Sequence, residues 1–382
     1  MSEDYTDFEQ LLISRRRKLH EHPETAFEEF ETTRLLKEWL SEAGVELAEL
    51  PLKTGVLAVI RGNRPGPVIA LRSDIDALPV QEQTGLPFAS KVPGKMHACG
   101  HDFHMAAVLG ATLLLNKRKS ELQGTVKVIF QPAEEFGNGA REVIKTGVLD
   151  EVDAFFGMHD MPYLPTGTVA INSGAMMAAV DHFTIDVEGT GSHAAEPQKG
   201  IDAVVMASHI VTAMQSIVAR NLSPLSSAVL SITRLQSGNT WNVLPQTAEL
   251  EGTVRTFDES VRDLIPEKME KIAKNIAEAF GGKAELHYDK QGPALINTPA
   301  LADIARTVAE KAGLKAIETE PSFAGEDFAD YVKNKPGMFC FVGVSGTAAL
   351  HNPHLIIDEK AILPSAKFFA DLAVEMLRHV GN

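Results

Sequence analysis

The run "PVIALRSDIDALP" (residues 67–79) decides the fold class of this chain, because an almost continuously apolar segment is followed at once by two aspartates. A strand buried on both faces has this pattern, and such strands belong to largely parallel sheets. Two more runs share it, "TVKVIFQP" (125–132) and "VDAFFGMHD" (152–160), and helical segments at 104–118 and 139–148 lie between the three. The alternation predicts an α/β fold with a mostly parallel sheet and flanking helices.

The pattern changes near residue 180. "DHFTIDVEG" (181–189) alternates like a half-exposed strand, and an apolar helix, two strands, a second helix and a last strand, "KAELHYDKQ" (283–291), follow it. The order β-α-β-β-α-β is the split, ferredoxin-like arrangement. After Pro293 helices and a buried strand resume the α/β pattern. We therefore expect residues 1–179 and 293–382 to form one metal-binding catalytic domain, interrupted by an α+β insertion at 180–292.

Composition narrows the class of protein. The formal net charge of −15 argues against partners such as nucleic acid or an anionic membrane, since both are polyanions. The first residues are acidic and lack an apolar signal-peptide core, and no run approaches the roughly 18 consecutive apolar residues of a membrane span. The chain contains only two cysteines, which excludes a disulfide framework. These features predict a cytoplasmic protein.

Acidic and imidazole side chains follow several predicted strands at the point where each strand ends. In open α/β sheets ligands bind outside the carboxyl ends of the strands, so we expect these side chains at one edge. They are, strand by strand, Asp74 and Asp76, Glu134 and Glu135, His159 and Asp160, and His351 and His354. Cys99 and His101 precede the helix at 104–118, where the helix dipole favours a thiolate.

Taken singly, each of these residues has an ordinary explanation, and Asp102 beside them has the sequence of a helix N-cap. Together, one thiolate, three imidazoles and one or two carboxylates form a ligand set for first-row metals. Such a set suits two cations about 3.5–4 Å apart that share a water. One glutamate of the pair 134–135 then binds metal, while the other accepts a proton. A nucleophilic Cys99 activated by His101 is an alternative that leaves the other groups without a role.

Motifs along nearly the whole chain resemble one family. They are "LHEHPE", "LRSDIDALPV", "GKMHACGHDFHMA", "FQPAEE", "GMH", "GSHAAEP", "NVLP", "GTVRT", "GEDF" and "LHNPH". Their order is that of the bacterial amidohydrolases of the aminoacylase/carboxypeptidase metallopeptidase family, which includes hippurate and auxin-conjugate hydrolases. "HACGHD" followed by "QPAEE" is the most specific combination.

The resemblance implies a zinc-exopeptidase-like catalytic domain with a binuclear metal site, and an inserted lid that also dimerises. The implied metal ligands are Cys99, His101, Glu135, His159 and His351. Glu134 is the implied general base, and Asp76 the carboxylate that orients a metal-bound imidazole. His193 is implied to stabilise the oxyanion in the partner subunit's active site. Asn242 and Arg255 are the implied contacts for the substrate carboxylate, which an arginine fork can grip through both oxygens.

The implied activity is hydrolysis of the amide bond of N-acyl, chiefly N-acetyl, L-amino acids. The implied enzyme is a homodimer with two divalent cations per subunit, of zinc, manganese, cobalt or nickel. The residues leave open a dipeptidase or carboxypeptidase, and a deacetylase for one metabolite such as N-acetyl-diaminopimelate or an S-substituted N-acetylcysteine. A non-catalytic metal-binding scaffold is another class, disfavoured by the retained Glu134 and complete ligand set. Asp160 and Leu355 depart from the family pattern. Asp160 lies close enough to the ligand set to bias which acyl group or which amine the enzyme prefers in its substrate.

Overall fold

A computed structural model describes residues 5–380, which divide into two compact units. The first unit contains the chain up to Met176, the segment Ile296–Pro321 and the chain from Glu326 onward. The second unit contains Met177–Leu295 and Ser322–Gly325. Each unit has its own apolar core.

The helices and strands of residues 5–380 are as follows. The α-helices are α1 (Thr6–His20), α2 (Phe30–Glu42), α3 (His101–Lys117), α4 (Gly139–Lys145), α5 (Ala203–Ser216), α6 (Glu259–Ala279), α7 (Pro299–Lys311), α8 (Phe328–Val332) and α9 (Ile362–His379). The first strands are β1 (Glu46–Ala48), β2 (Val56–Arg61), β3 (Arg64–Asp74), β4 (Gln123–Gln131), β5 (Ala154–Met161), β6 (Thr168–Ala170), β7 (Gly174–Met177) and β8 (Ala179–Glu188). The remaining strands are β9 (Ser192–His193), β10 (Ala228–Ser237), β11 (Val243–Leu244), β12 (Thr247–Thr256), β13 (Lys283–Gly292), β14 (Leu295–Asn297), β15 (Lys315–Ile317) and β16 (Gly337–Gly343).

The first unit is built on a central sheet with the strand order β1-β2-β4-β3-β5-β16-β6-β15. The four neighbouring strands β4, β3, β5 and β16 run parallel, whereas β1, β2 and the β6–β16 pairing are antiparallel. The predicted mixed α/β fold with a mostly parallel sheet is confirmed. Because the parallel strands end at one edge, the residues that follow them are brought together there.

Helix α3 positions the middle of the site. Every residue from His101 to Leu115 is buried, because this helix has apolar residues on all of its faces. It packs against α1, α9 and β3. The helix begins at His101, three residues earlier than the sequence pattern indicated, so this histidine lies in the first turn. Gly100 precedes it with φ +76°, and a Cβ there would lie 2.1 Å from Asp160 Oδ1. Only glycine fits this N-terminus.

The second unit contains a four-stranded antiparallel sheet of order β10-β12-β8-β13. Its element order is β8-α5-β10-β12-α6-β13, a split β-α-β arrangement whose helices cover one face of the sheet. The helical segment Ala203–Asn221 is long and apolar enough, by length and composition alone, to cross a membrane. Its residues Ala203, Met206, Ala207, Ile210 and Met214 are buried in the core of this unit, the position of a core helix in a globular domain.

Candidate metal centre

The structure brings the five predicted ligands together at the carboxyl edge of the central sheet. Cys99 lies at the centre, with its Sγ 3.4 Å from His159 Nε2 and 3.2 Å from His351 Nε2. Glu135 Oε1 lies 3.6 Å from His351 Nε2 and 4.0 Å from His101 Nε2. Cys99 with His101 and His159, and Cys99 with Glu135 and His351, form groups whose ligand atoms all lie within 4.8 Å of one another.

Hydrogen bonds fix which ring nitrogen two of the histidines present. His101 Nδ1 lies 2.9 Å from the Asp76 carbonyl oxygen, and His159 Nδ1 lies 2.7 Å from that of Asp160. A carbonyl oxygen only accepts, so each Nδ1 donates, and in the neutral form of each ring Nε2 keeps its lone pair for a cation. In the described part of the chain, His101 Nε2 and Glu135 Oε1 are buried without a hydrogen-bond partner. Buried ligand atoms left unpaired in this way fit divalent cations.

Asp76 supports the turn that carries both glutamates, residues 132–137, which we call the glutamate turn. Its Oδ1 accepts the backbone N–H of Glu134 at 3.1 Å, and its Oδ2 accepts that of Glu135 at 3.0 Å. Asp76 was predicted to orient an imidazole through its carboxylate. The closer partner of His101 Nδ1 is the backbone carbonyl oxygen of Asp76, at 2.9 Å, whereas the Asp76 carboxylate lies 3.4 Å away. The carboxylate mainly aims the glutamate turn at the site.

Glu134 is the second carboxyl group of this turn, and its Oε2 lies 3.9 Å from His101 Nε2. Its side chain is 13% exposed. Burial raises the pKa of Glu134 well above its usual range, and the negative charges of Glu326 and Asp327 raise it further. A carboxylate with a raised pKa is a stronger base, which suits a residue that accepts a proton near neutral pH.

The surroundings of Cys99 act against the thiolate that the helix dipole was expected to favour. Cys99 is only 7% exposed, and burial raises the pKa of its thiol well above the usual range. The carboxylates of Glu134 and Glu135 raise it further, while His101 opposes them. A buried thiol with a raised pKa does not favour the alternative of a nucleophilic Cys99 activated by His101. A cation beside Sγ would supply the missing positive charge.

A buried arginine beneath the site was missed by the sequence interpretation. Arg72, on β3, is 1% exposed and pairs with Asp74 at 2.6 Å, Glu326 at 2.9 Å and Asp327 at 2.8 Å. Its Nε donates to Gln131 Oε1 at 3.0 Å. The sequence did contain a sign of this network, because a charged residue within an apolar strand needs buried partners. Two of these partners, Glu326 and Asp327, belong to the quoted motif "GEDF".

His104 and Asp102 anchor two further networks. His104 bridges Asp74 Oδ1 at 2.6 Å and Asp160 Oδ1 at 2.9 Å. Asp160 is fully buried against this ring and packs beside Gly100. Asp102 is not the N-cap of α3, which is Gly100. Its Oδ2 instead accepts from Arg16 at 2.7 Å and lies 2.8 Å from His20 Nδ1.

The other predicted site residues, His193, Asn242 and Arg255, lie in the second unit. His193 and Asn242 are neighbours on a small ribbon, where β9 pairs with β11 and Ala194 N donates to the Asn242 carbonyl at 3.1 Å. His193 is exposed, and its Nδ1 accepts the Ala195 N–H at 3.0 Å, so Nε2 carries the proton when the ring is neutral. Arg255 is half-buried on β12, and within residues 5–380 its guanidinium has no hydrogen-bond or ion-pair partner. Burial lowers the pKa of Arg255.

Comparison with known proteins places this geometry in a family. Residues 70–375 match the model of "Peptidase family M20/M25/M40". The chain is 49% identical to an N-acetylcysteine deacetylase of Bacillus subtilis over 98% of both chains. It is 44% identical to an N-acyl-L-amino acid amidohydrolase of Geobacillus stearothermophilus over 73% of this chain and 75% of that one. The crystal structure of the Bacillus subtilis protein YXEP, described as a dinuclear metal binding peptidase, superposes with TM-score 0.90, at 46% identity over 97% of this chain and 99% of that one. The chain belongs to peptidase family M20/M25/M40.

Proposed function

We propose that this hydrolase cleaves the amide bond of N-acyl, chiefly N-acetyl, L-amino acids and releases a carboxylic acid and a free amino acid. The observation that carries the proposal is a cluster of five metal-ligating side chains, two of them with buried and unpaired ligand atoms, beside one extra carboxyl group, that of Glu134. The names of the deacetylase and amidohydrolase relatives support the reaction class. They also place N-acetylcysteine first among the substrates to test.

In this proposal two divalent cations are held by Cys99, His101, Glu135, His159 and His351. The thiolate and imidazole donors favour zinc, cobalt or nickel, and the carboxylate admits manganese. When bound, the cations lower the pKa of water and polarise the substrate carbonyl. The Asp76 and Asp160 carbonyl oxygens keep two of the imidazole rings turned with Nε2 toward the cations.

Glu134 moves the proton in the proposed reaction. It accepts a proton from the attacking water, whose oxygen forms a bond to the amide carbonyl carbon. It then donates that proton to the leaving nitrogen as the carbon–nitrogen bond breaks.

The second unit is proposed to be the lid and dimerisation domain. Its exposed His193 presents an N–H that suits an oxyanion, and we assign this role in the partner subunit's active site. Arg255, a half-buried cation with no carboxylate partner in the described residues, is proposed to bind the substrate carboxylate together with Asn242. A cytoplasmic location is proposed because both cysteines are free thiols.

The test is an amine-release assay on metal-loaded protein with a panel of N-acetyl amino acids, N-acetylcysteine, dipeptides and N-acetyl-diaminopimelate. Glu134→Gln should retain the cations by elemental analysis yet lose at least about 100-fold in kcat. Glu142→Gln is the matched control, since that partly exposed glutamate of α4 pairs with Lys145 on the protein surface. No release from any N-acyl amino acid by the wild-type protein would refute the proposed function.

Assembly has its own experiment. His193→Ala and Glu134→Gln are each expected to be nearly inactive, because each removes a different proposed catalytic group. Mixing the two proteins should restore part of the activity if the histidine acts across a dimer. Sedimentation of the wild-type protein as a monomer, with no activity regained on mixing, would contradict this part of the proposal.

A further inference from the structure

Two residues with strained backbone lie on adjoining loops next to the site. Phe27 has φ +62° and Ala133 has φ +58°, a left-handed conformation that residues with a Cβ rarely adopt. Ala133 comes directly before Glu134 in the glutamate turn, so its conformation sets the direction of that turn. Phe27 lies in the loop that leads into α2. Such strain persists only where the surroundings hold it in place.

One buried carboxyl group holds both strained residues. Glu29 is 0% exposed, and its Oε1 accepts the Phe27 N–H at 3.0 Å and the Ala133 N–H at 2.9 Å. In the described residues its Oε2 has no geometric hydrogen-bond partner. The side chain therefore links the two loops through one oxygen. Above this link the rings of Phe27 and Phe136 meet edge to face with their centroids 6.2 Å apart.

The glutamate turn is thus fixed from two sides. Glu29 holds the backbone N–H of Ala133, and Asp76 holds the next two, those of Glu134 and Glu135. Three consecutive N–H groups point at two buried carboxyl groups, and this is possible only if Ala133 keeps its positive φ. Without Glu29 the alanine loses the hydrogen bond at its own N–H that offsets a disfavoured conformation, and we expect the Glu134 carboxyl group to leave its position beside His101.

We infer that Glu29 is a positioning residue for Glu134: it holds Ala133 in the left-handed conformation that directs the glutamate turn at the reacting amide. This inference rests on the proposed function. It assigns a role to the segment "PETAFEE" that the metal ligands and the proposed base do not explain. A side chain at position 29 needs a hydrogen-bond acceptor and does not need a negative charge.

The test compares three variants. Glu29→Leu keeps much of the volume and removes the acceptor, so kcat for an N-acetyl amino acid should fall on the order of 100-fold with KM and cation content nearly unchanged, the effect of roughly 1 Å of misplacement. Glu29→Gln keeps the acceptor and should stay within about threefold of the wild type. Adding Ala133→Gly to Glu29→Leu should recover at least about tenfold, because glycine adopts positive φ without a tether.

The control is Glu28→Leu, the same substitution at the neighbouring exposed glutamate, which pairs with Thr25 and Lys95 and should leave kcat unchanged. Crystal structures of the metal-free variants give a second readout. In Glu29→Leu, φ of Ala133 should become negative. The hydrogen bond from the Glu134 N–H to Asp76 Oδ1, 3.1 Å long in the wild type, should be lost.

Near-normal kcat in Glu29→Leu, a Glu29→Gln as impaired as Glu29→Leu, or no recovery with Ala133→Gly would overturn the inference. A Glu29→Leu protein that fails to fold, with or without Ala133→Gly, would make Glu29 a structural residue and overturn it as well. A wild-type protein inactive on every N-acyl amino acid would instead refute the proposed function. The crystallographic comparison would then still decide whether Glu29 positions the turn.

Discussion

Replacing Arg72 with methionine should destabilise the first unit strongly. The arginine is 1% exposed and is the shared partner of three carboxylates, those of Asp74, Glu326 and Asp327, each 5% exposed or less. Breaking one buried ion pair by removing a single partner costs about 3–5 kcal/mol, because an uncompensated charge stays buried. A domain is typically stable by about 5–15 kcal/mol, so Arg72→Met removes a large share of this free energy.

The loss of unfolding free energy should be less than three times the cost of one broken ion pair, because a buried carboxylate can take up a proton instead of staying charged. With the arginine present, burial already raises the pKa of Asp327 to about 7. Without the arginine, the folded-state pKa of Asp327 rises further above the unfolded value of about 4. Groups with a raised folded-state pKa lose stability as pH rises, so the deficit of Arg72→Met should be larger at pH 8 than at pH 5.

The assay is urea unfolding followed by the fluorescence of Trp39, which packs partly buried against the core of the first unit. Trp241, 92% exposed in the second unit, is changed to Phe in all proteins so that one unit is observed. Arg34→Met is the matched control: Arg34 is 56% exposed and pairs with two glutamates, so its loss should cost less than about 1 kcal/mol. Equal unfolding free energies for Arg72→Met and Arg34→Met at pH 8 would show that the buried ion pairs of Arg72 do not stabilise the first unit.

Three shorter predictions follow from other parts of the molecule. Burial lowers the pKa of His97 to about 4, so the unfolding free energy of the metal-free protein should fall by up to about 3 kcal/mol as pH drops from 6.5 to 4. His97→Leu should flatten that dependence in urea titrations, and an unchanged slope would contradict the assignment. Removing the cations with a chelator should lower the melting temperature reversibly, because a cation at 100 times its Kd adds about 2.7 kcal/mol to the free energy of unfolding. Calorimetry that finds no shift would count against the metal centre. Arg255→Met should raise KM for N-acetyl amino acids at least about tenfold but not for the matching N-acetyl amino amides, and equal effects on both would remove the carboxylate role.

The sequence was sufficient for the parallel part of the fold. The apolar runs at β3, β4 and β5 are buried strands, because a strand covered on both faces has room only for apolar side chains. The short strands β6 and β15 were not predicted. Each has three residues, and their place in the sheet depends on pairing with each other and with β16. Such pairing leaves no periodic signal in a single sequence.

At the site, the sequence predicted the metal-ligating side chains that the structure brings together, and it missed the residues that hold these side chains in place. Asp74 and Asp160 were assigned by their position after strands, yet they meet through His104, which lies on α3. The role of Glu29 was not predicted either, because its hydrogen bond to the Ala133 N–H joins residues 104 positions apart and leaves no pattern in the sequence. Contacts between residues separated by more than a hundred positions require the fold.

The most direct test of the central claim is anomalous diffraction from crystals of the protein loaded with manganese or zinc. We expect two peaks per subunit at the carboxyl edge of the sheet, with Cys99, His101, Glu135, His159 and His351 as their ligands. A single peak, or peaks held by other side chains while these five stay unliganded, would contradict it.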